Sequence, residues 1–228
     1  MQMYDLAGAD ENHRFSPYCW RTRMACAHKG VPLATIPWRF TDKDMLPRGN
    51  NGTVPVIVDG DTVIADSWKI AVYLDEHYPD RPLFGCEAAR GAALLIKHWT
   101  ERSLHPLITR MVVRDVWAGL HETDQPYFRE TRERRLGKPL EEAVANREET
   151  RTRFREALEP LRALLAEQAF VCGRAPAYAD YIVFGTLQWP RCVSGFELLD
   201  PADPVHAWRQ RLLDMYDGLG ERAVRHVS

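Results

Sequence analysis

Three short stretches in the first third of the chain combine residue types that can bind and activate a small polar ligand. The first is Ser16-Pro17-Tyr18-Cys19, in which serine followed by proline is typical of the start of a helix. The free amides and the dipole at such a helix end favour a negative charge, and the Ser16 hydroxyl can donate a hydrogen bond to a thiolate. The stretch therefore predicts a helix from Pro17, with Ser16 either as its cap alone or as a functional donor.

The other two stretches carry groups suited to recognising a peptide and an amino acid. A cis bond between Val54 and Pro55 would turn the backbone N–H and C=O of Val54 outward, where an extended peptide can pair with them. An ordinary trans proline at the start of a strand is the alternative. Asp66 and Ser67 precede a helical pattern. At this helix start, Ser67 can bind a ligand carboxylate and Asp66 can bind a ligand ammonium group. The alternative is that the two residues only cap the helix.

Strands and helices alternate up to about residue 80. Apolar periodicity and turn residues predict the order β-α-β followed by β-β-α. Gly30 is expected to end the first helix, and Pro37 to weaken the second strand or place it at an edge of the sheet. The predicted strands are residues 1–6, 33–40, 54–58 and 62–64, and the predicted helices are 17–29 and 68–77.

From residue 88 onward the pattern is almost entirely helical. Two prolines and a glycine between residues 79 and 85 mark the boundary, which divides the chain into domains at 1–80 and 88–228. Ala177 cannot cap a helix with its side chain, so Asp180 alone is expected to complete that cap. The predicted helices are 88–104, 107–120, 141–149, 154–165, 179–189 and 204–216. We expect a kink at Pro106 between the first two, a bend at Pro160 within the apolar stripe of 154–165, and burial of 179–189. Residues 125–131 are expected to form a loop or short turn.

The composition is that of an ordinary globular protein and argues against several classes of function. The 228 residues are 45% hydrophobic and 27% charged, and 30 basic against 32 acidic residues give a net charge of -2, which disfavours a nucleic-acid surface. No apolar run reaches the roughly 18 residues of a membrane span, and residues 1–14 lack the apolar stretch of a secretory signal. The five scattered cysteines and eight histidines show no disulfide framework and no metal spacing, so we expect a cytoplasmic protein without a metal.

In this order the three stretches resemble the thioredoxin-like half of cytosolic glutathione transferases. The matching residues are Ser-Pro-Tyr-Cys-Trp-Arg at 16–21, Val-Pro-Val at 54–56 and Asp-Ser at 66–67, and residues 173–181 resemble the start of the buried helix in their helical domain. The resemblance implies an α/β thioredoxin-like N-terminal domain followed by an all-α helical C-terminal domain. Residues 54–58, 66–68 and 216–220 further resemble the glutathione-dependent β-aryl-etherases of lignin breakdown.

The resemblance implies that glutathione is the co-substrate, that it brings the nucleophilic sulfur, and that Ser16 lies beside this sulfur as the catalytic residue. A serine hydroxyl is hardly ionised at neutral pH, so it acts as a hydrogen-bond donor to the thiolate and not as the nucleophile. The resemblance implies that the cysteinyl part of glutathione contacts Val54, with Pro55 in the cis form. The γ-glutamyl end would contact Asp66 and Ser67, and the glycyl end would contact Lys43 or Arg39.

A hydrophobic, aromatic electrophile is implied as the second substrate, in a site between the domains. The walls of this site are expected on the helices of residues 88–120. The candidate wall residues are Trp99, Ser103, Leu107 and Arg110, with Arg102, Pro106, Arg114 and Trp117 beside them. Each of these could instead belong to the core or to the interface of the homodimer that the resemblance implies. The basic residues between Arg129 and Lys138 are expected on a solvated helix face.

The implied reaction is attack of the glutathione thiolate on that electrophile, with β-aryl ether cleavage as one form of it. One alternative is a glutathione-dependent thiol–disulfide reductase that uses Cys19, although a small buried hydrophobic residue is the simpler interpretation of this cysteine. A second alternative is a glutathione- or ligand-binding protein without turnover.

Overall fold

The computed structural model describes residues 1–48 and 52–226, and in these ranges a four-stranded sheet with two helices is followed by eight further helices. This architecture confirms the predicted fold class, an α/β domain followed by an all-helical one. Along the described ranges, no helix combines the length and the apolar character that crossing a membrane requires.

The sheet is small and mixed, with its strands in the order β2-β1-β3-β4. The strands are β1 (Gln2–Leu6), β2 (Ala34–Trp38), β3 (Val56–Asp59) and β4 (Thr62–Ala65). Strand β1 runs parallel to β2 and antiparallel to β3, and β3 and β4 form the predicted hairpin. Pro37 lies in the edge strand β2, as its missing N–H requires, and the Val54–Pro55 bond before β3 is cis.

The two helices of the first domain begin at the predicted capping residues. Helix α1 (Pro17–Lys29) begins after Ser16, whose side chain accepts a hydrogen bond from the amide of Cys19, and ends at Gly30 in the left-handed conformation. Helix α2 (Ser67–His77) begins after Asp66, whose carboxylate accepts hydrogen bonds from two first-turn amides. Both helix starts are therefore determined by local capping.

The helical domain contains one long, irregular helical segment, made of two helices joined by a π-helical turn, and one buried central helix. Its helices are α3 (Glu87–Trp99), α4 (His105–Ala118), α5 (Asp124–Leu136), α6 (Leu140–Ala143), α7 (Arg147–Ala157), α8 (Glu159–Glu167), α9 (Tyr178–Val193) and α10 (Pro204–Gly218). A π-helical turn at Thr100–Leu104 joins α3 to α4, so the chain is helical up to Pro106 and beyond. Pro160 stands in the first turn of α8, where it produces the predicted break from α7.

Two of the sequence predictions for this domain are wrong. Residues 125–131, expected as a loop or short turn, lie in α5, because Pro126 stands in the first turn of that helix, where no intrahelical donor is needed. The charged segment 141–149 is not one helix, since α6 ends at Ala143 and α7 begins at Arg147. Local charge and proline patterns contain no information about the tertiary contacts that decide where these helices begin and end.

Helix α9 is the buried centre of the second domain, and α1 packs directly against it. Trp20 and Phe184 meet edge to face with ring centroids 6.2 Å apart. A Cβ atom at Gly185 would collide with the carbonyl oxygen of Pro17 and lie 3.3 Å from Cγ of Arg21. Only glycine allows this approach of the two backbones, so α9 determines the position of the N-terminus of α1.

The start of α9 is stabilised by one buried carboxylate. Asp180 accepts hydrogen bonds from the amides of Val171 (2.7 Å), Cys172 (3.1 Å) and Ala177 (3.1 Å), and from the indole of Trp208 (3.1 Å). The bond from the Ala177 amide is the predicted half of the cap. Asp180 therefore joins the preceding loop and α10 to the central helix.

We expect Asp180→Ala to lower the free energy of unfolding by about 3 kcal/mol or more, because four donors would lose one buried acceptor. Ala177→Ser should raise it by about 0.5–1 kcal/mol, since serine supplies the missing cap. Urea denaturation followed by circular dichroism measures both. Asp214→Ala, at an exposed position of α10, is the control, and equal effects of the two aspartate variants would contradict the role of Asp180.

Candidate functional site

A cavity of about 630 Å³ lies between the two domains. The first domain contributes the start of α1 and the segment before β3, and the second contributes one face each of α4 and α5. The described lining residues are Leu6, Phe15, Ser16, Pro17, Tyr18, Trp38, Phe40, Gly52, Thr53, Val54, Glu101, His105, Pro106, Thr109, Arg110, Val113, Val116, Tyr127, Phe128, Arg132, Arg135, Leu136 and Trp189. The cavity is thus largely aromatic and aliphatic, with a few polar groups, as a site for a small organic ligand requires.

Ser16 lines this cavity at the first turn of α1. The residue is 4% exposed, and its Oγ accepts a hydrogen bond from the Cys19 amide at 3.3 Å. Because Oγ is the acceptor in that bond, the hydroxyl keeps its own proton for donation to a ligand. The positive end of the α1 dipole lies at the same point, so this wall of the cavity favours an anionic atom.

The three stretches singled out in the sequence lie together in the structure. Val54 lines the cavity, and the carbonyl of Pro55 accepts a hydrogen bond from the Asp66 amide at 3.2 Å, which places the start of α2 next to Val54. Ser67 is 2% exposed, and its Oγ has no hydrogen-bond partner among the described residues. Asp66 and Ser67 themselves lie beside the cavity and not in its lining.

The two candidates for the glycyl end differ in position, and neither lines the cavity. Lys43 is exposed, and its Nζ lies 4.8 Å from the ring centre of Tyr127, which does line the cavity. Arg39 faces away toward Glu11, with 3.8 Å between guanidinium and carboxylate. Of the pair, Lys43 is therefore the one at the cavity rim.

Of the four predicted wall residues for the electrophile, the structure places Arg110 in the lining and the other three outside it. Trp99 and Leu107 are partly buried against the core, and Ser103 is exposed. Among the neighbouring candidates, Pro106 lines the cavity, whereas Arg102, Arg114 and Trp117 do not. The lining positions on α4 are 105, 106, 109, 110, 113 and 116, which share one helix face, and Leu107 lies outside this face, about 100° from Pro106 around the helix.

Helix α5 supplies the wall that the sequence interpretation missed. Tyr127, Phe128, Arg132 and Arg135 line the cavity, although part of this segment was expected as a loop and its basic residues on a solvated face. The guanidinium of Arg132 lies over the rings of Phe128 (4.6 Å) and Phe40 (5.3 Å). The spacing 128, 132, 135 is that of one helix face and was the available signal.

Comparisons with known proteins identify the family. The domain description "Glutathione S-transferase, N-terminal domain" matches residues 15–77, and "Glutathione S-transferase, C-terminal domain" matches residues 93–211. The chain belongs to the glutathione S-transferase family. The described cavity lies between these two matched regions.

One solved structure and two curated sequences show how far the similarity to other members extends. Glutathione transferase GSTFuA3 of Phanerochaete chrysosporium has 26% identity and a TM-score of 0.82, covering 92% of this chain and 95% of its own. Glutathione S-transferase Z1 of Arabidopsis thaliana is 46% identical over 68 residues, which are 28% of this chain and 31% of that protein. A stringent starvation protein A homolog of Histophilus somni is 32% identical over 96 residues, 41% and 45% of the two chains. The chain thus spans less than half the length of these curated relatives.

In this glutathione S-transferase family member, Cys19 is unsuited to act as a nucleophile. Its side chain is fully buried and outside the described lining of the cavity. Burial first, and then the charge of Asp5, raise the pKa of the Cys19 thiol well above its usual value. The thiolate is therefore scarce at neutral pH, which argues against the reductase alternative. Among the described residues, no group of three His, Cys, Asp or Glu side chains could hold a metal ion.

A partly buried polar cluster in the wall of the cavity connects α1 to the π-helical turn. The guanidinium of Arg21 donates to Glu101 at 2.8 Å, and Lys97 donates to the same carboxylate at 3.1 Å. His105, which hydrogen-bonds Thr186 at 3.0 Å, is neutral at working pH. Burial first, and then the charge of Arg21, lower the pKa of His105 to about 3.

The partly buried His105 predicts a specific acid sensitivity. Its pKa in the folded state lies below the unfolded value of about 6.5, so the unfolded state binds the proton first and stability falls as pH drops below about 6.5. Between pH 7 and pH 5 we expect His105 to account for a loss of about 2 kcal/mol in the free energy of unfolding. Urea titrations at both pH values measure it.

Over that pH interval, His105→Gln should lose about 2 kcal/mol less than the unsubstituted chain, because glutamine cannot take up the proton. His98→Gln, at an exposed position of α3, is the matched control and should behave like the unsubstituted chain. An equal loss in the His105 variant would show that this histidine is not the group responsible.

Proposed function

We propose that this protein is a glutathione transferase of the serine type, with Ser16 as its catalytic residue. The observation that carries the proposal is the position of Ser16, which lines the cavity at the start of α1, in the same cavity that Val54 lines. Glutathione gives up its thiol proton to water, and the hydroxyl and helix dipole stabilise the resulting thiolate. The thiolate then attacks a hydrophobic, aromatic electrophile held against the aromatic walls of the cavity.

Glutathione would be held by the stretches that meet beside the cavity. We assign its cysteinyl part to the backbone of Val54 next to Pro55, and its γ-glutamyl end to Asp66 and Ser67. The hydrogen bond from Asp66 to the Pro55 carbonyl supports this grouping, and so does the buried, unpartnered Oγ of Ser67, which a ligand carboxylate would satisfy. For the glycyl end we assign Lys43, because it lies at the cavity rim and Arg39 does not.

The proposal includes a cytoplasmic homodimer, in keeping with the family, and two reaction types at the electrophile. In the first, the sulfur displaces halide or another leaving group from an activated aromatic ring. In the second, the sulfur forms a bond to the carbon of a β-aryl ether while the carbon–oxygen bond breaks and aryloxide leaves. Both need the same thiolate, so the wall of the cavity and not the first domain decides between them.

We expect Ser16→Ala to lower kcat/KM for glutathione conjugation about 100-fold, the usual cost of losing one donor to a developing or bound anion. The pKa of the bound glutathione thiol should rise, so the ascending limb of the pH–rate profile should move to higher pH. Ultraviolet absorbance of the bound thiolate as a function of pH measures this pKa. Each unit of increase in the pKa corresponds to a loss of about 1.4 kcal/mol in stabilisation of the thiolate. Ser16→Thr should restore the lower pKa, since threonine keeps the hydroxyl.

Cys19→Ala is the matched control for this experiment, because Cys19 lies in the same helix turn as Ser16 and the variant keeps the backbone amide that donates to Ser16 Oγ. This variant should conjugate glutathione at a rate close to that of the unsubstituted chain. Loss of turnover in the cysteine variant with an active Ser16→Ala would reverse the assignment of roles. Glutathione binding without conjugation of any electrophile would instead support a ligand-binding role without turnover.

The β-etherase form of the proposal is tested with a keto-activated β-aryl ether of two methoxyphenol units, alongside a halodinitrobenzene. We expect release of methoxyphenol together with an equal amount of the glutathione thioether, both quantified by mass spectrometry. Conjugation of the halodinitrobenzene without any methoxyphenol release would remove the etherase form and leave the transferase assignment intact.

A further inference from the structure

We propose that the cavity contains an anion subsite, formed by Arg110, Arg132 and Arg135, and that the second substrate is an aromatic carboxylate. This inference deepens the proposed function and rests on it for the reaction, though not for binding. Arg110 comes from α4, and the other two come from one face of α5, so the three line the wall contributed by the helical domain.

The charges around the cavity are unbalanced in favour of an anion. Among the described lining residues, Glu101 is the one carboxylate, and its charge is already compensated by Arg21 at 2.8 Å and Lys97 at 3.1 Å. Arg110, Arg132 and Arg135 form no ion pair with any described residue, whereas the adjacent Arg134 pairs with Glu130 at 2.6 Å. The lining therefore presents three uncompensated positive charges to whatever occupies it.

Arg132 is the member of the trio that a bound carboxylate would stabilise most. Its guanidinium is largely withdrawn from solvent between Phe40 and Phe128, and Thr131 is its one described hydrogen-bond partner, at 3.0 Å. Burial first, and then the charge of Arg135, lower the pKa of Arg132. A carboxylate between the two guanidiniums would relieve this repulsion and accept the free N–H groups in a forked geometry.

The walls around the trio indicate the rest of the ligand. Trp38, Phe40, Tyr127, Phe128 and Trp189 surround the cavity and suit a flat aromatic body. An aromatic ring against these walls, with its carboxylate at Arg132 and Arg135, would occupy the same cavity that Ser16 lines. An aromatic carboxylate is therefore the substrate class that satisfies both the apolar and the charged parts of the lining.

Binding of two unreactive probes, 3,5-dinitrobenzoate and its methyl ester, tests the subsite without any turnover. Quenching of the fluorescence of Trp38 and Trp189 reports the affinity. At low salt we expect the acid to bind at least about tenfold more tightly than the ester, and only the affinity for the acid should fall with added salt. Equal binding of acid and ester would overturn the proposal, whatever the enzyme's activity.

Each of Arg110→Gln, Arg132→Gln and Arg135→Gln should weaken binding of the acid, by about tenfold for Arg132, and leave the ester unchanged. Arg134→Gln is the matched control on α5 and should change neither. If Arg132→Gln does not fold, the variants at the more exposed Arg110 and Arg135 still decide the question. No effect of any of the three on the acid would overturn the subsite.

Kinetics with 4-chloro-3,5-dinitrobenzoate and its methyl ester then separate the subsite from the proposed function. The arginine variants should raise KM for the acid about tenfold and leave KM for glutathione unchanged. A raised KM for glutathione with equal effects on acid and ester would mean that the arginines bind the glycyl carboxylate instead, which overturns the proposal. Preferential binding of the acid without conjugation of either electrophile would sustain the subsite and contradict the transferase assignment alone.

Discussion

The close contact between α1 and α9 at Gly185 is the constraint on which the site depends. A side chain at this position would push away the backbone of Pro17, the residue that follows Ser16. Since Ser16 is the cap of α1, any shift of Pro17 moves both the hydroxyl and the free amides of the helix end. The glycine thus allows the helical domain to set the position of the helix end that favours an anion at the cavity.

A second constraint is electrostatic and comes from Arg21, which also lies against Gly185. Arg21 and Glu101 join the two domains through a largely buried ion pair, whose desolvation cost makes it weak evidence for stability. The ion pair also affects the cavity, because Arg21 compensates the negative charge of Glu101 in the lining. Among the described lining residues, Arg110, Arg132 and Arg135 then remain as the uncompensated charges, while the neutral His105 adds none.

The first domain could be predicted almost entirely from the sequence, whereas the wall of the cavity could not. The starts of α1 and α2, the hairpin and the edge position of Pro37 follow from capping, turn and proline preferences that act within a few residues. The position of α5 does not follow in the same way, because its polar sequence has no strong apolar stripe of its own. Asp124, at the start of α5, is buried, and its carboxylate accepts hydrogen bonds from the backbone amides of Phe40 and Thr41, which are more than 80 residues away in the chain.

The sequence by itself determined where the helices of the first domain begin, that a serine and not a cysteine stands at the first of them, and that α9 is buried. These features depend on residue type and on neighbours within one or two helix turns. Only the tertiary structure decided that Cys19 is inaccessible, that Arg110 faces the cavity while Leu107 does not, and that Arg132 and Arg135 belong to the site. Burial, pKa and the orientation of a helix face depend on which distant elements pack against them, and local sequence preferences contain no information about those partners.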